Sequence, residues 1–133
     1  MSIARTSISA FPRGHEFPAA SFVIDAGRVR AYLDAMGDTN DYSGTVPPLA
    51  VAALALNALQ EHIALPEGSL HTGQEVEHAA SALTGAPMTL TGRIAQRSER
   101  QGYVISVIEF EVATAAAVSI RARTTIMAPA GAS

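Results

Sequence analysis

Fourteen residues from Val46 to Leu59 read VPPLAVAALALNAL, with no charged side chain among them. Pro47-Pro48 suits the first turn of a helix, where the missing N–H costs nothing. The spacing predicts a helix running on through Gln60, Glu61 and His62 to about Ile63, stopped by Pro66-Glu67-Gly68. Its middle is apolar on every side, so it must be enclosed by other structure. It falls short of the roughly 20 residues that span a bilayer. It is therefore expected as a buried core helix, and the rest of the chain has to supply its cover.

That cover is legible on both sides. Before the helix, Phe17 to Ile24 is apolar and β-prone. Asp25 is a candidate N-cap. Val29, Tyr32, Leu33 and Met36 recur at i, i+3, i+4 and i+7, one apolar face of a helix that Gly37 stops. After the buried helix, Ser69 to Ala79 is ambiguous, Pro87 to Gln96 alternates partly, and Arg97 to Gly102 reads as a polar turn. Tyr103 to Ala113 and Val118 to Met127 alternate well, as strands with one covered face do. Residues 114–117, TAAA, fit a continuation or a bulge equally. The expectation is an α+β layer with about four antiparallel strands after the helix.

A chain of 133 residues allows one compact domain, expected over residues 1–128, with APAGAS leaving a disordered tail over 129–133. MSIARTSISAFPRG has no continuous apolar core, so it is not read as a signal peptide, and a cytoplasmic setting is expected. There is no Cys, which excludes disulfides, thiolate nucleophiles and Cys-ligated zinc. There is no Lys either: all nine basic residues are Arg, so Schiff-base and P-loop chemistry are excluded. The net charge of -3, the absence of Trp and the lack of a basic stripe argue against nucleic acid. Acid–base work falls to twelve carboxylates, four His and three Tyr.

Four pieces, in order, carry a family resemblance. RVRAYLDAMGDTNDYSG is similar to a Y-x-x-x-x-G-D-x-N-P-I/L-H element. VPPLAVAALALNAL resembles an A-P-P run leading into a helix. GSLHTGQEVEHAASALTGAPM resembles L-H-x-x-Q followed by P-L-x-x-G-D, and EFEVAT and SIRARTTIMAP match the long closing strands. Together they resemble the MaoC-like dehydratase/hydratase family, and particularly its N-terminal, non-catalytic branch. The resemblance implies a hotdog fold, a long central helix wrapped by a curved antiparallel sheet. It implies a homodimer, or a heterodimer with another hotdog chain, and a site at the dimer interface. The substrate would be an acyl thioester of coenzyme A or acyl carrier protein, with no metal or redox cofactor, no nucleic acid and no membrane partner.

Carried onto this chain, the catalytic Asp of that element falls on Asp38 and its Asn on Asn40. Its Pro falls on Asp41, its Ile or Leu on Tyr42, and its His on Ser43. Asp38 is either the acid–base group or the acceptor of an Asx-turn. Asn40, Tyr42, Ser43, Pro47 and Gln74 form the expected substrate-binding set. Each also has a plain reading: Asn40 and Ser43 in the loop, Tyr42 in packing, Gln74 bridging backbone groups. His71 is either a structural histidine or the source of the imidazole missing at Ser43, reaching Asp38 of the partner subunit. In a regular strand His71, Glu75 and Glu77 would share a face, but their spacing matches no metal signature and no metal is expected. His62 and His78 read as surface residues. Arg121 and Arg123 either hold pantetheine phosphates or lie on the outer sheet opposite Glu109 and Glu111.

Two functions follow. One is an enoyl-thioester hydratase/3-hydroxyacyl-thioester dehydratase with a degenerate site of Asp38 and His71. The other, motivated by Ser43, is a non-catalytic acyl-binding subunit that completes a partner's tunnel. A thioesterase stands third, on fold analogy alone.

Overall fold

The chain, described over residues 5–130 in a computed structural model, places its longest strands side by side. Five strands form one antiparallel sheet in the order β2-β5-β6-β7-β4. They are β2 (Ala20–Val23), β4 (Leu70–His78), β5 (Pro87–Arg100), β6 (Tyr103–Ala113) and β7 (Val118–Pro129). Two helices, α1 (Ala26–Met36) and α2 (Pro48–Leu59), lie between β2 and β4 in the chain. A second, small sheet pairs β1 (Thr6–Ser7) with β3 (Ile63–Ala64) in parallel. The architecture is α+β, with four long antiparallel strands after α2, as expected.

Local chemistry sets the boundaries. The Asp25 carboxylate accepts from the Arg28 N–H at 2.8 Å and caps α1, as the sequence predicts. Gly37 ends that helix at φ 63°, a left-handed conformation that suits glycine. The polar turn expected over residues 97–102 shrinks to Gln101-Gly102, with φ values of 52° and 83°. Two residues at positive φ match the twist of a tight hairpin. Arg97 to Arg100 are thereby strand, paired with Ser106 back to Tyr103. The 114–117 segment is neither continuation nor bulge but a chain reversal, closed by the Thr114 N–H on the Ala117 carbonyl at 2.9 Å.

The helix from which the fold was anticipated differs in two respects. It stops at Leu59 rather than Ile63, because Ile63 leaves it to pair with Thr6 and is buried there. It also leaves one strip of its surface uncovered. Ala50, Val51, Ala52, Ala55 and Leu59 are buried, while Leu49 is 61% exposed. Leu54, Leu56 and Ala58 are partly buried against the core, so the open strip is Leu49, Ala53 and Asn57. Where α2 meets the sheet, the approach is close: a Cβ on Gly92 of β5 would stand 3.2 Å from Leu59 Cδ2 and 3.4 Å from Phe110 Cβ. Met88, Leu90 and Ile94 of β5 and Ile108 and Phe110 of β6 complete this core.

The closing residues behave as strand. Pro129 ends β7, and the Ala130 N–H donates to the Gly102 carbonyl at 2.7 Å. The remainder of the expected tail, 131–133, lies outside the described residues, as do residues 1–4. Among the described residues no helix is long and apolar enough to cross a membrane.

Candidate functional site

The segment joining α1 to α2 folds around one carboxylate. Asp38 follows the cap glycine, and its own N–H donates to the Leu33 carbonyl at 2.9 Å. Its Oδ1 accepts from the Asn40 N–H at 2.9 Å and from Asn40 Nδ2 at 2.8 Å. Its Oδ2 accepts from the Tyr42 hydroxyl at 2.5 Å. The bond from the Asn40 N–H to Asp38 Oδ1 is the Asx-turn of the plain reading. The Tyr42 hydroxyl, then the Asn40 N–H, hold the Asp38 carboxyl below its ordinary value, outweighing the opposing effect of desolvation. The same bond raises the Tyr42 phenol. Asp38 is thus a stabilised carboxylate, not a carboxyl tuned upward for proton transfer.

The rest of the loop is held by short-range bonds. The Ser43 N–H donates to Asp41 Oδ1 at 2.9 Å, and Ser43 sits at φ 53°. The Thr45 hydroxyl and N–H both donate to the Tyr42 carbonyl, at 2.5 and 3.0 Å. The Thr84 N–H donates to the Gly44 carbonyl at 2.8 Å and brings a distant loop alongside. Together with α1 this loop forms an open groove of about 580 Å³. Val29 and Leu33 supply its apolar wall, and Arg30, Asp34, Asp38 and Asp41 its charges.

No family model matches this chain, and no curated protein does. Solved structures do. The (R)-hydratase from A. caviae involved in PHA biosynthesis aligns over 90% of this chain and 98% of its own, at 16% identity and TM-score 0.73. The MaoC-like dehydratase from Rhodospirillum rubrum aligns over 93% and 97%, at 13% identity and TM-score 0.71. The C-terminally truncated HadBC (3R-hydroxyacyl-ACP dehydratase) complex from Mycobacterium tuberculosis aligns over 90% and 99%, at 19% identity and TM-score 0.69. The chain has the hotdog fold of these dehydratases and hydratases.

In this hotdog chain Asn40, Tyr42 and Ser43 line one groove with Asp38. Three other expected residues stand elsewhere. Pro47 is buried at the start of α2, where its carbonyl accepts from the Ala50 N–H at 2.9 Å. His71 and Gln74 lie on β4, at the sheet edge. His71 Nε2 is 3.5 Å from the Thr124 hydroxyl, and among the described residues no histidine lines the Asp38 groove.

The shared face expected for His71, Glu75 and Glu77 does not form. An irregularity between His71 and Gly73 shifts the register, so His71 and Gln74 pair with the buried Ile126 and Thr124. Glu75 and Glu77 pair with Arg123 and Arg121, on the opposite face. Among the described residues no three His, Asp or Glu side chains converge as a metal set.

A larger hollow, about 820 Å³, lies over the outer face of the sheet. Its guanidinium groups reach carboxylates: Arg93 and Arg123 both approach Glu109, at 2.9 and 3.6 Å, and Arg121 approaches Glu111 at 3.1 Å, while Arg123 Nε is buried without a hydrogen-bond partner. Arg121 and Arg123 therefore follow the outer-sheet reading. The lining that sequence reasoning missed is on α1. Val29, Arg30, Leu33 and Asp34 share one side at helical spacing, and that period ahead of Gly37-Asp38 was the signal. Thr84 carries no such signal, since only its backbone pairing brings it there.

Proposed function

We propose that this chain is an acyl-thioester-binding hotdog subunit of the MaoC-like hydratase/dehydratase type, and that its groove beside Asp38 binds the ligand without performing the acid–base steps. One observation carries this reading. Three donors already occupy the Asp38 carboxylate, and no imidazole lines the groove among the described residues. Adding water across a C=C needs a group to take a proton from water and a group to deliver one to carbon 2. Held below its ordinary value, Asp38 is a weakened base, and Ser43 offers no replacement.

A second hotdog chain then completes the site. Two features support that partner. β4 is an exposed edge strand of nine residues, free of Pro and Lys, and such an edge is a template for pairing. The open flank of α2 also calls for cover, with Leu49 largely exposed. The HadBC structure is a complex, which fits a hetero-partner. A different reading keeps the chain as a hydratase in a homodimer, with His71 of the partner subunit supplying the imidazole. It rests on His71 standing exposed on that edge strand.

The test uses the purified chain. A non-hydrolysable acyl-thioester analogue is titrated by calorimetry, and hydration of a 2-enoyl thioester is assayed alongside. Saturable binding with no hydration is expected. Hydration by the chain alone, lost in Asp38→Ala and in His71→Ala, would overturn the subunit reading in favour of the homodimeric enzyme.

A further inference from the structure

Charge alternates across the outer face of the sheet and stops unfinished at its edge. In one row Glu16, Arg93, Glu109, Arg123 and Glu75 stand side by side on neighbouring segments. In the next row Glu111, Arg121 and Glu77 do the same. The ion pairs fall in the middle of each row: Arg93 and Arg123 turn to Glu109, and Arg121 turns to Glu111. Among the described residues no ion pair reaches Glu75 or Glu77, and both are exposed. Both belong to β4, which has β7 on one side and no described strand on the other. A row of its N–H and C=O groups is therefore unpaired as well. An open backbone edge and two unmatched carboxylates share one place.

A second copy of this chain fits that edge poorly. A two-fold antiparallel pairing of β4 with itself, centred on Glu75 or on Glu77, sets that glutamate against its own counterpart. Centred on Val76, it sets Glu75 against Glu77 on both sides of the axis. Centred on Gln74, it makes the two Glu75 side chains diagonal neighbours, a separation that long side chains still reach across. All four registers bring like charges together, which destabilises the pairing. We infer that β4 discriminates against its own copy and takes the edge strand of a different hotdog chain, one that carries Arg or Lys on its outward face opposite Glu75 and Glu77. Such a strand closes the open backbone edge and continues the alternation of Glu75 with Arg123 and of Glu77 with Arg121. The inference rests on the two-chain reading above and names the chemistry of the second chain.

Sedimentation equilibrium of the purified full chain provides the test, at low and at high salt. Three samples are compared: wild type, the double variant Glu75→Gln/Glu77→Gln, and a mixture of wild type with Glu75→Arg/Glu77→Arg as a surrogate partner. The Gln variant is expected to self-associate at least about tenfold more tightly than wild type at low salt, with the gap shrinking as salt screens the carboxylates. The mixture is expected to form a mixed dimer at least about tenfold tighter than either component alone. The Arg substitutions add charge beside Arg123 and Arg121, so circular dichroism checks that variant's fold; if it is unfolded, the Gln comparison alone decides. Wild type that dimerises as tightly as the Gln variant overturns the charge selection and leaves the two-chain reading intact. A mixture no tighter than its folded components overturns it as well. No association in any sample overturns pairing through β4 altogether, while the acyl-thioester titration above is judged separately.

Discussion

The Tyr42 hydroxyl donates to Asp38 Oδ2 at 2.5 Å, across the loop between α1 and α2. It joins the residue that resembles a catalytic acid to the residue that stands where a smaller aliphatic side chain is expected. The bond favours the carboxylate of Asp38 and the neutral phenol of Tyr42. The chemistry of the groove depends on which partner gives way first.

Removing the hydroxyl tests that dependence. In Tyr42→Phe the Asp38 carboxyl should titrate closer to its ordinary value of 3.8 than it does in the wild type. A carboxyl-detected NMR titration reads the change. An unchanged Asp38 titration would remove Tyr42 as the main cause.

The same bond has a pH signature in stability. Asp38 has a lowered folded value, so its stabilisation is present above pH 3.8 and is lost as pH falls through the folded value. Tyr42 has a raised folded value, so its stabilisation is present below pH 10.0 and is lost as pH rises through the folded value. Denaturant melts of wild type and Tyr42→Phe should converge at both extremes. A constant difference from pH 2 to 12 would contradict this origin.

At the core, Leu59→Ala should cost about 2–5 kcal/mol, because a fully buried side chain facing Gly92 and Phe110 is removed. Gly92→Val should also destabilise, by roughly 1–3 kcal/mol, since its Cβ would meet Leu59 at 3.2 Å. In the Leu59→Ala background the Gly92→Val penalty should fall. A chemical-denaturation double-mutant cycle reads this, and strict additivity would show that the two positions do not touch.

The helix start gives a smaller effect. Asp25→Ala removes the acceptor of the Arg28 N–H and should cost about 1 kcal/mol, whereas Asp25→Asn should retain most of the cap. Thermal unfolding followed by circular dichroism distinguishes them.

On the outer face, Arg93→Ala with Glu109→Ala should show a coupling of about 0–1 kcal/mol despite the 2.9 Å contact, because both side chains are solvated. A larger coupling would assign that ladder a structural weight that its exposure does not suggest.

Much of this was legible along the chain. The Asp25 cap, the Gly37 stop, the alternation of β6 and β7 and the turn at Asp38-Asn40 depend on residues a few positions apart. Local dihedral preferences and nearest hydrogen bonds suffice for them. Asp38, Asn40, Tyr42 and Ser43 fall together in the groove for the same reason: they are neighbours in sequence. What tertiary structure alone decided involves partners far apart or a count that slips. Ile63 left α2 because Thr6 offered it a strand. His71 was separated from Glu75 and Glu77 because one irregularity reverses which face a side chain takes. Thr84 joined the groove only once the loop after β4 had packed beside Gly44. The open flank of α2 follows from the same source: an all-apolar helix specifies that it must be covered, but how much of that cover its own chain supplies depends on where the sheet ends.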